Sequence, residues 1–176
     1  TEFRLKTAET SEDQAIVSVA NSTKDNEYLI FIQNGNELEF YLPDGTFRWD
    51  ISALNIADNQ WHHFAVVRDT DSQLATLYVD GISQGNEPLT DGSPLTAEAV
   101  VIGQDQDSVD GSFDPTQALH GSLTDMVVWS HARTLEEITR DMNHEFDMES
   151  NGLKAWWDFD ARHGDQVFDQ IGRAPV

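Results

Sequence analysis

Asp105, Asp107, Asp110 and Asp114 fall within ten residues of the stretch IGQDQDSVDGSFDPTQALHG, 102–121, and no basic side chain lies among them. Carboxylates this close repel one another unless a cation or solvent relieves the charge. Ca²⁺ is an economical partner, because it takes about six to eight oxygen ligands at ~2.3–2.6 Å from carboxylates, amide oxygens and backbone carbonyls. Asp105 and Asp107, two apart, can face one side. Gly111 lets the chain turn back, so that Asp114 and Gln117 approach the same ion. Solvation is the other reading. With 32 Asp and Glu against 10 Lys and Arg, acidic loops also arise as plain hydrated surface. Residue types alone leave both readings open.

Other chemistry-bearing groups carry less. HEFDMES holds Glu145, Asp147 and Glu149 in an E-x-D-x-E arrangement, which in retaining glycosidases sets a nucleophile and an acid/base on one face of a strand. In so acidic a chain roughly one such triplet is expected by chance, and this one follows a helical pattern rather than standing on a strand. Catalysis is therefore not expected, and a glycoside hydrolase ranks third among the functional readings. His62 and His63 adjoin on a strand and point to opposite faces, which suits a sheet better than a metal centre. Trp156 and Trp157 read as alternate burial in a sheet rather than as a sugar-stacking pair. There is no Gly-rich phosphate loop, nucleophile elbow or Cys/His cluster.

The elements that must position the acidic loop are strands. In ELEFYLPDGTFRWDI, Leu38, Phe40 and Leu42 alternate with Glu37, Glu39 and Tyr41; Pro43, Asp44 and Gly45 turn the chain, and Phe47, Trp49 and Ile51 resume the alternation. This is a hairpin with one buried face. AIVSVA, YLIFIQ, WHHFAVVRD, LATLYVDG, AVVIGQ and SLTDMVVWS read as further strands, and after the helix GLKAWWDF and DQVFDQI return to strand. One segment breaks the period of two. TLEEITRDMNHEF opens with Thr134 and Glu137 in capping-box spacing, and Leu135, Ile138 and Met142 recur at helical intervals, which predicts a short helix near 134–145. The expected fold is all-β: a two-sheet antiparallel β-sandwich with one short helix. Residues 105–119 then form a long loop between two strands at its edge or mouth, where long loops are usually functional.

Composition agrees with a folded, acidic surface. Hydrophobic residues make up 39% and aromatics 10% of 176 residues, enough for a core in a single domain spanning 1–176. A net charge of −22 opposes binding to nucleic acid or anionic membrane. No apolar run reaches the length of a membrane span. The absence of Cys leaves the redox compartment undetermined. A chain that opens on Thr1 rather than Met reads as a module of a larger protein, with neighbouring domains as possible partners.

The residues also carry a family resemblance. IGQDQDSVDGSFDPTQALHGSLTDMVVWS resembles the calcium-binding segment of the pentraxins, whose pattern runs L-G-Q-E-Q-D-S, then F-E-x-x-Q, then Gly and a strand ending in M-W. KDNEYLIF, 24–31, is similar to the pentraxin stretch with the Asp-Asn pair of the first calcium site. The resemblance implies the laminin-G-like, concanavalin A-like jelly roll, in which WHHFAVVRD followed by ATLYVDG is a common pair of strands. It assigns a first Ca²⁺ to Asp25, Asn26, Asp105, the backbone carbonyl of Gln106, and Asp107. A second would share Asp105 and Asp107 and add Asp114 and Gln117. Four carboxylates then balance two Ca²⁺ ions. At 105 and 114 the family has Glu, so each carboxylate here is one methylene shorter and must be brought closer by the backbone or replaced by water. The family's cysteine pair is absent, and Phe64 and its neighbours are expected as ordinary core. TEFRLKT resembles an early but not the first strand, so GLKAWWDF is expected to fill a sheet edge.

In pentraxins the ions hold phosphate or other anionic groups beside an apolar pocket that accepts a choline-like group. Phe31 matches an aromatic of that pocket, whereas Tyr41 stands where a smaller residue lines it and Thr46 where an acid would meet the ammonium. Phosphocholine therefore does not transfer, and Phe31 and Tyr41 are the candidate ligand contacts. The resemblance implies a calcium-dependent lectin-like module, secreted or at a cell surface, binding a carbohydrate or phosphate-bearing ligand. The second reading is an adhesion module in which calcium only rigidifies a loop.

Overall fold

The computed structural model describes residues 1–43, 45–90, 92–143, 148–159 and 169–171. Its strands are β1 (Glu2–Thr7), β2 (Gln14–Asn21), β3 (Lys24–Gln33), β4 (Glu37–Leu42), β5 (Gly45–Asp50), β6 (His62–Asp69), β7 (Leu74–Val79), β8 (Ile82–Pro88), β9 (Ala99–Ile102), β10 (Gly121–Trp129) and β11 (Leu153–Trp157). They form two antiparallel sheets, one ordered β11-β10-β1-β6-β7-β8 and the other β5-β4-β3-β2-β9. The expected sandwich is present, and its core is the period-two pattern turned inward. Leu38, Phe40, Leu42, Phe47 and Trp49 of the hairpin meet Phe3, Phe64, Val66 and Leu77 of the facing sheet. Phe3 and Phe64 stack with centroids 5.1 Å apart, both fully buried. Burying each such side chain contributes about 1.5–3 kcal/mol before the cost of ordering the chain.

The helix forms as the capping box predicts. The Thr134 hydroxyl accepts from the Glu137 N–H, and the Glu137 carboxylate accepts from the Thr134 N–H. It is shorter than 134–145: α1 runs Leu135–Asp141, and Met142 is its C-cap. Ile138 packs on Ala65 and Val67, so α1 covers the outer face of the six-stranded sheet.

The C-terminal GLKAWWDF does fill an edge, as β11 beside β10. Trp157 packs on the main core and Trp156 on Val127, Trp129 and Leu153, the alternation expected of a strand. The second strand expected near the C-terminus, DQVFDQI, falls mostly outside the described residues; 169–171 form a bend. His62 and His63 diverge as adjacent strand residues must. His62 bonds Asp58 and Asp80, while buried His63 lies 3.3 Å from Glu2.

Candidate calcium and ligand site

β9 is the edge of one sheet and β10 belongs to the other, so residues 103–120 cross from sheet to sheet. The crossing is fastened to β2. Gly103, at φ +81°, donates to the Ile16 carbonyl at 3.0 Å and accepts from the Leu119 N–H at 2.9 Å. Gln106 is fully buried and well bonded: its N–H donates to Ser18 Oγ at 3.3 Å, its Nε2 donates to the Ser18 carbonyl at 2.9 Å and to the Ala99 carbonyl at 3.5 Å, and its Oε1 accepts from the Asp110 N–H at 2.9 Å. Gln104 ties the two ends of the acidic run, accepting from the Asp105 N–H at 2.9 Å and donating to the Asp114 carbonyl at 3.0 Å. Asp114 caps the turn Pro115–Gln117 by accepting from the Thr116 N–H and hydroxyl.

Asp105 feels the charges of neighbouring Asp107 and of Asp25, about 80 residues away at the start of β3. Asp105 is only 5% exposed. Burial raises its pKa, and the negative charges of Asp107 and Asp25 raise it further, against a hydrogen bond from Ser18. Asp114 is displaced the other way: the Thr116 bonds hold it below the ordinary carboxylate range.

Three side-chain oxygens here are buried with no hydrogen-bond donor: Asn26 Oδ1, Asp105 Oδ1 and Gln117 Oε1. An unsatisfied buried acceptor costs about 1–3 kcal/mol. All three oxygens belong to residues that the pentraxin resemblance assigned to calcium. Their chemistry fits a hard cation, since every candidate donor is oxygen. Among the described residues no three or more His, Asp or Glu side chains gather as a metal-binding group, so amide and backbone oxygens would be needed to complete a site. The Gln106 side chain is already engaged, which leaves its backbone carbonyl to contribute. Asp25 and Asn26 stand at the start of β3, and Asp105, Gln106 and Asp107 at the head of the loop. Asp114 is half committed to its own turn.

The candidate ligand contacts lie on the outer face of the same sheet. Phe31 is 5% exposed and packs with Ala15 and Leu29 against Tyr41, so it supports Tyr41 rather than offering a surface of its own. Tyr41 is half-buried, and its hydroxyl donates to Glu39. Burial, then the Glu39 carboxylate, pushes the phenol up to about 12. Sequence reasoning missed Ser18, Gln104, Glu39 and Arg48. Ser18 had a signal, a lone hydroxyl in the apolar run AIVSVA. Of the acidic triplet, Glu145 and Asp147 lie outside the described residues.

Residues 1–139 match the family model of the concanavalin A-like lectin/glucanases superfamily. The chain belongs to that superfamily. Its domain is pentraxin-like and laminin-G-like. It is 33% identical to mucosal pentraxin of Rattus norvegicus over 126 residues, covering 70% of this chain and 55% of the relative. The chain thus spans about half the length of the curated relatives it matches first. Among solved structures it superposes on a heptameric SAP-like pentraxin from Limulus polyphemus with a TM-score of 0.71 at 22% identity, covering 97% of this chain and 78% of the other. A candidate carbohydrate-binding protein from Bacteroides ovatus gives 0.76 at 19% identity, covering 98% and 49%. These two show a shared fold. No helix among the described residues is long and apolar enough to cross a membrane.

Proposed function

We propose that this domain is a calcium-dependent, lectin-like binding module that takes a carbohydrate or phosphate-bearing ligand on the outer face of the five-stranded sheet. The observation that carries the proposal is the set of donorless buried oxygens on Asn26, Asp105 and Gln117. A bound Ca²⁺ would supply positive charge to those oxygens and open coordination positions for ligand oxygens. Asp25, Asn26, Asp105, the Gln106 carbonyl and Asp107 would hold a first ion, and Asp114 and Gln117 a second that shares Asp105 and Asp107. The chain's own part is to bury and aim these oxygens, through the Ser18–Gln106 and Gln104 hydrogen bonds. Tyr41, two strands away on the same face, is the aromatic contact. Similarity to a pentraxin and to a candidate carbohydrate-binding protein supports a binding role. An extracellular place, as one module of a larger secreted or surface protein, suits both the millimolar calcium outside cells and the acidity of the chain.

A glycan and phospholipid array, run with Ca²⁺ and with chelator, tests the reading. Binding is expected only with Ca²⁺, and Tyr41→Ala should weaken it while leaving calcium-dependent melting nearly unchanged. If nothing on the array binds in Ca²⁺ while neighbouring domains of the parent chain stiffen in small-angle scattering, the module is a spacer.

A further inference from the structure

One polar cluster on the outer face of the five-stranded sheet stands apart from the calcium ligands. Register sets Phe31 opposite Glu39, and Glu39 opposite Arg48. The adjoining row runs Ser18, Leu29, Tyr41, Thr46. Ser18 is the anchor of Gln106, so Tyr41 stands two strands from the head of the calcium loop, about 10 Å at the usual strand spacing. Arg48 lies one strand further.

Glu39 is fully buried although it points away from the core. Its carboxylate accepts from the Tyr41 hydroxyl and from Arg48 Nε at 2.5 Å, the pairing a buried charge requires. The same Nε lies 3.3 Å from Glu37. The Arg48 side chain also engages the Tyr41 hydroxyl and remains 54% exposed. A half-exposed guanidinium is thus anchored at its neck, beside a half-buried aromatic ring and the partly exposed Glu37 carboxylate.

The charge count decides what this cluster can take. Two carboxylates against one guanidinium leave it at −1, inside a chain of −22. A phosphate, sulfate or carboxylate on the ligand is repelled. A quaternary ammonium finds Glu39 buried and already paired. Sugar hydroxyls fit both halves, since each accepts from the guanidinium and donates to a carboxylate, and a sugar's C–H face can lie against Tyr41.

Resting on the calcium-dependent reading above, we propose that Tyr41, Arg48 and Glu37 form a second subsite selecting an uncharged saccharide, with Glu39 positioning Arg48 and Tyr41. The test is a titration of the full chain in Ca²⁺, followed by saturation-transfer NMR. The probes are the methyl glycosides of glucose, galactose and mannose, their 6-phosphates, and phosphocholine. A calorimetric Ca²⁺ titration of each variant runs alongside. At least one neutral glycoside is expected to bind, with its 6-phosphate about tenfold weaker or more. Arg48→Met should weaken the glycoside by about tenfold, the loss of a charge-assisted hydrogen bond, and Arg48→Lys should recover part of it. The Ca²⁺ titration of both variants should match the parent. Preference for a phosphorylated probe or for phosphocholine overturns the subsite, as does indifference to Arg48→Met. Calcium binding with no glycoside binding also overturns it and leaves the metal reading standing. Absence of calcium binding overturns the metal reading itself.

Discussion

His62 sits between two carboxylates, with Nδ1 2.7 Å from Asp80 and Nε2 3.2 Å from Asp58. Burial pulls its pKa down, and the bonds and charges of Asp80 and Asp58 outweigh burial, so the imidazole titrates above its ordinary 6.5. The sign follows from proton counting. Between the ordinary and the raised value the folded chain binds more protons than the unfolded one, so stability falls as pH rises through that window. The contribution is complete below the ordinary value and lost above the raised one. Urea midpoints measured across this range should decline for the parent chain and decline less for His62→Gln; parallel curves would remove the assignment. At the candidate site two aspartates that look alike in sequence differ in their surroundings. Asp105, buried among like charges, is pushed up, whereas Asp114, bonded by Thr116, is held down. Of these two, Asp105 carries a repulsion that a cation would relieve.

The element that assembles the site is the 103–120 crossing, and Gln106 is the peg that holds it. Gln106→Ala removes the bond to the Ser18 carbonyl and the acceptor of the Asp110 N–H. Leaving such groups unpaired should cost on the order of 2 kcal/mol in urea unfolding and should weaken Ca²⁺ binding, because Asp105 and Asp107 flank the peg. A loss below about 0.5 kcal/mol, typical of an uninvolved surface position, would show that the loop is held otherwise. The strands and the hairpin were legible in sequence because period two reports burial directly, and Thr134 and Glu137 marked the start of α1 because a capping box is local. The candidate metal ligands could be named because two motifs repeat a family pattern in order. What lay hidden depends on register between distant strands. Alternation placed Glu39 on the polar face, yet Tyr41 and Arg48 close over it and bury it. The same closure explains Phe31, whose outward position is covered by its neighbours.

At the scale of the whole molecule, a net charge of −22 strains any compact state. Monovalent salt relieves such strain by general screening, whereas a built site responds to one ion at low concentration and saturates. The two responses can be told apart in a single experiment. Calorimetric titration of Ca²⁺ into the full chain at low ionic strength, with a melting curve at each end, addresses the central claim most directly. The predicted result is saturable heat with a stoichiometry of at least one, and a gain of roughly 2.7 kcal/mol at a hundredfold excess over the dissociation constant. Asp107→Ala should abolish both. Heats and melting curves that Ca²⁺ leaves unchanged, or an Asp107→Ala chain that titrates like its parent, would contradict the calcium site and the function built on it.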